Sequence, residues 1–420
     1  MSSIKHILIV VLICLGLTLF SFSLHIFPGT NTMINYIGPN QVSEENLIVS
    51  DGFLPWAVDY HQQLLEFKKR PVAVFLMEKF SKIFNVRISL AYVYVNFFFF
   101  FLGGLLIYYL ARLYQYQNKE ALLGIVFYFF SFSILLAYFI PIATFDEPVQ
   151  YFFILLAFIA LQKQKYVMFV IMLTLAAITR ETSLLLLPVM VLFFMRLDIK
   201  KMFSNKIQLV KVAIYSGLPV LFYVIYSIWF YKTNPQLVEE TKFLLDQKFK
   251  YYKTKNFLDF EHTMRTILSF VSVNLLPIFL IFYYKLRNKF NDFESKLLTA
   301  FWIMFWINLV MVIVSAYAEE SRVFTLPYLI LFPMYGKILK GVIQFNKSFF
   351  NYLLNWKSIV IIFITGVFSW NLFKIGYQLT NFKPHENLNL FVEYNTLVII
   401  FIVLIFFYNR FSFKTELPKQ

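Results

Sequence analysis

The feature that most constrains this chain is a series of apolar runs, each about the length of a membrane-crossing helix. Residues 88–113 read ISLAYVYVNFFFFFLGGLLIYYLARL, with no charge before Arg112. A run of about 18 or more such residues spans the hydrocarbon core of a bilayer as a helix. Comparable runs begin near Ile4, Ile88, Ala121, Pro148, Tyr166, Thr182, Val210, Arg265, Leu297, Arg322, Ile359 and Thr396. They predict about twelve spans. The expected fold is all-α, a polytopic transmembrane helical bundle. No internal repeat, low-complexity tract or linker divides it, so residues 1–420 are expected to form a single integral membrane domain.

Composition excludes the main alternative. The chain is 60% hydrophobic and only 15% charged, whereas soluble domains carry about 25% charged residues. Cys14 is the sole cysteine, which rules out an intramolecular disulfide and a cysteine metal site. The first run, Ile4–Leu24, is too long for a secretory signal and has no small-residue cleavage site, so it reads as an uncleaved first helix.

The net charge of +15 raises the possibility of nucleic acid, but the distribution of that charge answers it. An even number of spans puts both termini on one side. With that side cytoplasmic, Lys163 and Lys165, the segment Arg196–Lys211, the segment Lys285–Lys296 and the segment Lys337–Lys357 all fall inside. The short outer loops hold only Arg180, Arg322, Lys374 and Lys383. This is the positive-inside asymmetry. Two long outer segments, residues 25–87 and 231–264, are basic too, but long loops translocate largely regardless of charge. No nucleic acid partner is needed. The expected location is a bacterial inner (plasma) membrane, with both termini cytoplasmic.

Residues Tyr166–Met195 admit two readings. Two runs of about 14 residues flank Arg180-Glu181, each short for a full span. Either discontinuous helices meet at a polar break, or one long helix carries a buried ion pair and reverses the parity of everything after it. The break keeps Arg196–Lys211 inside. The outer segment Asn234–Arg265 mixes charge with aromatics, as interfacial helices do. It reads equally as a tethered amphipathic hairpin or as a cap over a substrate.

The chemistry is expected among four charged clusters, because ionisable groups near hydrocarbon are costly and seldom idle. These are Asp51 with Asp59, Asp146-Glu147, Arg180-Glu181, and Glu319-Glu320-Ser321-Arg322. In the twelve-span topology all four lie at outer helix ends. Carboxylates can deprotonate a hydroxyl or hold a divalent cation, and arginines bind phosphate bidentately. Together they suit transfer from a phosphate-linked lipid, although the same residues could pair as structural salt bridges. His61 and His262 lack metal-ligand spacing. There is no phosphate-cradling Gly-rich loop and no GxSxG elbow.

The pattern over roughly the first 330 residues resembles the GT-C superfamily of polytopic glycosyltransferases. Asp51-Gly52 before an aromatic, then Arg70-Pro71 heading an apolar run, looks like the large first outer loop that carries the family's catalytic Asp and its interfacial helices. Asp146-Glu147 matches an acidic pair in the next outer loop. Thr179-Arg180-Glu181-Thr182 is similar to an Arg-Glu-Thr/Ser segment of bacterial members. Glu320-Ser321-Arg322 is similar to a late Glu-x-Arg segment that faces the lipid phosphate. The chain departs from a strict Asp-x-Asp, having Phe53 where a second Asp would stand.

The resemblance implies inverting transfer of a hexose or pentose from a polyprenyl-phosphate carrier to a glycan, lipid or protein acceptor on the non-cytoplasmic face. Asp51 would act as base, with Asp59 its rival. Asp146 or Glu147 would orient the acceptor or bind a divalent cation, if one is used. Arg70, Arg180, Glu181, Glu320 and Arg322 would form the phosphate and substrate site. Two competing classes share the composition: a multi-span transporter or lipid flippase, and an O-antigen or capsule polymerase. Transporters usually show two related halves with charges near the midplane, and no half-repeat is visible here.

Overall fold

Lipid offers no hydrogen-bond partner to a backbone, so apolar runs must close their own hydrogen bonds, and here they do so as helices. The computed structural model describes residues 3–26, 65–139, 146–194, 206–235, 254–343, 347–379 and 388–412. Asp51 and Asp59 lie outside the described residues. Apart from a single turn at Leu65–Lys68, the helices in chain order are α1 Ser3–Ile26, α2 Pro71–Phe84, α3 Ile88–Leu113, α4 Asn118–Phe129, α5 Phe132–Phe139, α6 Glu147–Gln162, α7 Tyr166–Thr179 and α8 Leu187–Phe194. They continue as α9 Lys206–Thr233, α10 Phe260–Arg287, α11 Asp292–Ser315, α12 Phe332–Val342, α13 Lys347–Leu353, α14 Trp356–Leu379 and α15 Leu388–Ser412. No strand occurs among the described residues.

Six helices (α3, α9, α10, α11, α14 and α15) contain segments long and apolar enough to cross a membrane. Shorter apolar helices lie in α1, α6, α7 and the segment Glu181–Phe194. By length and composition this is a helical membrane protein. The core is aromatic: Phe100, Phe129, Tyr128, Tyr151, Tyr328 and Tyr335 are fully buried. Conversely α9 and α14 present Ile225, Trp229, Phe363 and Phe368 outward, which suits a lipid-facing position better than a watery one.

At the centre, α4 packs along α12. Their backbones nearly touch, because Gly336 has no side chain. A Cβ there would lie 1.6 Å from the Glu120 carbonyl oxygen. Small residues at helix contacts are the usual means of close approach in membranes, where van der Waals packing drives association.

Several helices break toward one end of the bundle. The segment after α7 leaves helical geometry at Arg180 (φ −160°, ψ 120°) and re-forms as a 3-10 turn over Glu181–Leu186 before α8. Thus, of the two readings of Tyr166–Met195, the structure has the break. Similarly, α11 is followed by 3-10 turns Ser321–Phe324 and Leu326–Ile330 before α12. The other end of the bundle is held by a separate polar set. Buried Glu294 pairs with Lys337 at 2.5 Å, and Glu120 pairs with Lys340 at 3.0 Å. The stretch of α11 from Glu294 to Ser315 separates Glu294 from the broken end by roughly 30 Å, at about 1.5 Å per residue.

Candidate functional site

Each charged residue at the broken end is delivered by a helix terminus. Asp146 and Glu147 open α6, with Pro148 in the first turn, where a missing N–H costs nothing and negative charge is favoured by the helix dipole. Arg180 and Glu181 sit at the α7 break. There the Ser183 hydroxyl lies within hydrogen-bond distance of the carbonyls of Ala176 (2.9 Å) and Arg180 (2.8 Å), adding a side-chain donor to carbonyls that already accept from the Arg180 and Ser183 N–H groups. Arg70 immediately precedes α2, and Arg322 lies in the turn after α11.

These termini meet in one chain of alternating charge. Glu181 binds Arg70 through two hydrogen bonds, Nε to Oε2 at 2.9 Å and Nη2 to Oε1 at 2.5 Å. Arg70 Nη1 also reaches Asp146 Oδ2 at 3.5 Å. Asp146 Oδ1 accepts from Arg180 Nη1 at 3.2 Å, and the same nitrogen donates to Glu147 Oε1. Arg322 Nη1 pairs with Glu147 Oε1 at 3.2 Å, and its Nη2 donates to Glu320 Oε2 at 2.7 Å. Seven of the nine residues singled out from the sequence are therefore joined: Arg70, Asp146, Glu147, Arg180, Glu181, Glu320 and Arg322. The other two, Asp51 and Asp59, belong to the segment just before Arg70 in the sequence.

Burial divides the members. Asp146 is 0% exposed, and Glu147 and Arg322 are each 3% exposed. The Glu181 side chain is 42% exposed. Burial alone would lower the Arg70 guanidinium, but Glu181 and then Asp146 outweigh it and hold it above its ordinary value. Next to it, burial lowers the Lys69 ammonium, and Glu181 offsets only part of the effect. Lys69 lies over the rings of Tyr223 (4.8 Å) and Tyr231 (5.3 Å), and Tyr226 donates to the Lys69 carbonyl at 2.9 Å. Three tyrosines of α9 thus hold the segment that presents Arg70.

A cavity of about 80 Å³ adjoins the network, lined in part by Glu147, Gln150, Arg180, Thr182, Asn308 and Ser315. Gln150, which sequence reading passed over, donates to Thr182 (3.0 Å) and Ser183 (2.9 Å) and so ties α6 to the α7 break. Its spacing of three from Glu147 was the available signal, since i and i+3 share a helix face. Asn308 on α11 donates to the Val323 carbonyl at 3.1 Å, supporting the Arg322 turn. Asn256 was also missed. Its amide donates to the carbonyls of Ile313 and Ala316 and accepts from the Ala318 N–H, pinning the segment before α10 onto the loop after α11. Glu319, the first acid of its cluster, points away to Arg265 at 3.4 Å.

Among the described residues no three His, Cys, Asp or Glu side chains converge as a metal site. Asp146 and Glu147 each face two arginines, a setting that opposes a cation by like charge. The arrangement can bind anions through its arginines and donor groups through its carboxylates. No family model matches the chain, and neither a curated protein nor a solved structure matches it.

Proposed function

We propose that this protein is a membrane glycosyltransferase of the GT-C type, with about twelve spans as read from the apolar runs. It moves a sugar from a polyprenyl-phosphate carrier to a glycan, lipid or protein acceptor on the non-cytoplasmic face. The observation that carries the reading is the convergence of four sequence-distant charged segments, 70, 146–147, 180–181 and 320–322, at one end of an apolar bundle and beside a cavity. Charges gathered at one end fit chemistry on a lipid head better than a transport path through the midplane.

In this reading Asp51, or Asp59, takes the proton from the acceptor hydroxyl as it attacks the anomeric carbon, and polyprenyl phosphate leaves. Arg70 and Arg322 hold the departing phosphate by charge-assisted hydrogen bonds, and Arg180 faces the sugar. Arg70 offers a route for exchange through its partner. Its partner Glu181 is already partly solvated, so an arriving phosphate displaces a carboxylate that water can take up.

The test is purified protein incubated with a labelled polyprenyl-phosphate monosaccharide and membrane acceptors. Release of lipid phosphate with a labelled product is expected. Asp51→Asn should lower the rate about 10²- to 10⁴-fold, as loss of a general base does, without changing expression. Wild-type rates in both Asp51→Asn and Asp59→Asn would remove the mechanism.

A further inference from the structure

Within the network the two adjacent carboxylates do different things. Both oxygens of Asp146 are engaged, Oδ2 by Arg70 and Oδ1 by Arg180. Glu147 uses only Oε1, which faces Arg180 and Arg322. Its Oε2 is buried with no hydrogen-bond partner, although the residue is only 3% exposed and lines the 80 Å³ cavity. A buried carboxylate oxygen without a donor is costly, and such an atom beside a cavity calls for a ligand or water. Arg180 lines the same cavity. It donates through Nη1 alone to the described residues, which leaves Nε and Nη2 with donors to spare, since a guanidinium has five N–H groups.

The cavity therefore offers an acceptor and a donor together, and this decides what fits. A cation at Oε2 meets Arg180 and Arg322. An anion at Arg180 meets Glu147. A neutral hydroxyl satisfies both, because it donates one hydrogen bond and accepts up to two. We infer that Glu147 Oε2 and Arg180 form a hydroxyl-recognition subsite, which binds one hydroxyl of a neutral polyol. That the polyol is a sugar rests on the transferase reading. Asp146, held between two arginines, is by contrast a positioning residue.

The subsite can be tested without any transfer reaction. Ser315 is exposed at the cavity rim, so Ser315→Cys in a Cys14→Ser background provides a reporter whose alkylation by N-ethylmaleimide is timed in a detergent without sugar hydroxyls. Methyl glucoside should slow alkylation, and 2-methoxytetrahydropyran, the same ring without hydroxyls, should not. Adding Glu147→Gln should weaken the methyl glucoside effect about tenfold or more, the loss expected for one hydrogen bond to a charged group. Equal slowing by the two probes, or no slowing by methyl glucoside, overturns the inference. So does an unchanged effect in a folded Glu147→Gln protein; if that variant does not fold, the two-probe comparison decides alone. Selective protection without transfer activity counts against the transferase and leaves the subsite standing. Transfer without selective protection does the reverse.

Discussion

Asp146 and Glu181 carry the same charge in the same network and pair with the same Arg70, yet water treats them differently. Asp146 has no exposed surface, and its two arginine partners are themselves largely buried. Removing its charge leaves buried guanidinium groups short of a counterion, which typically costs about 3–5 kcal/mol. Asp146→Asn is therefore expected to lower the unfolding midpoint in detergent strongly. Glu181, with 42% of its side chain exposed, can be partly replaced by water, so Glu181→Gln should cost less than Asp146→Asn, although buried Arg70 then keeps only Asp146 at 3.5 Å. Denaturant or thermal unfolding of the two variants side by side checks the contrast. Equal destabilisation would mean that solvation does not set the worth of these pairs.

At the scale of the element, two helix features lead to measurable outcomes. The first is the α4 and α12 contact, where a Cβ at Gly336 meets the backbone oxygen of Glu120 at 1.6 Å. Backbone cannot rotate away as a side chain can, so Gly336→Leu must push the helices apart, at a cost at or beyond the roughly 1–3 kcal/mol of ordinary overpacking. Loss of the folded peak in size-exclusion chromatography, or a lowered melting temperature, is the expected readout. The second is the start of α10, where Asp259 Oδ1 accepts from the His262 N–H at 2.8 Å. That backbone hydrogen bond, together with the His262 ring, holds the Asp259 carboxyl below its ordinary value. A group depressed on folding contributes fully above its unfolded value, about 3.9, and the contribution is lost as pH falls through the lower folded value. The His262 amide should thus stay protected from hydrogen exchange at neutral pH and lose protection only in acid. In Asp259→Ala it should exchange faster at neutral pH, and the difference from wild type should vanish in acid.

For the whole molecule, the arrangement of ends makes a topological prediction. Glu319 is tied to the start of α10 through Arg265, while Leu286 is 83% exposed near the other end of that helix. In a Cys14→Ser background, Glu319→Cys and Leu286→Cys should label from opposite sides of the membrane, and Asp51→Cys should label from the same side as Glu319→Cys. Labelling of Asp51→Cys and Glu319→Cys from opposite sides would separate the catalytic candidate from the network and break the transferase model.

Much of this protein was legible without coordinates, for identifiable reasons. Apolar runs such as residues 88–113 have one good solution in lipid, so their helices could be read directly from composition and length. The charged pairs at 146–147, 180–181 and 320–322 stood out because charge is rare in this chain and expensive near hydrocarbon. Gln150, Asn256 and Asn308 did not stand out. Amides are common, and their value here comes from which carbonyl or hydroxyl lies opposite, on a helix far away in sequence.

The sequence by itself determined that this is a helical membrane protein and where its six longest apolar helices lie. Only the tertiary structure decided who pairs with whom: that Arg70 reaches across more than a hundred residues to Glu181, that Asp146 is saturated by two arginines, and that Glu147 keeps one oxygen free beside a cavity. The physical reason is range. Partition into lipid depends on local composition, whereas the worth of a buried charge depends on the few ångströms around it, which distant segments supply only once the helices have packed.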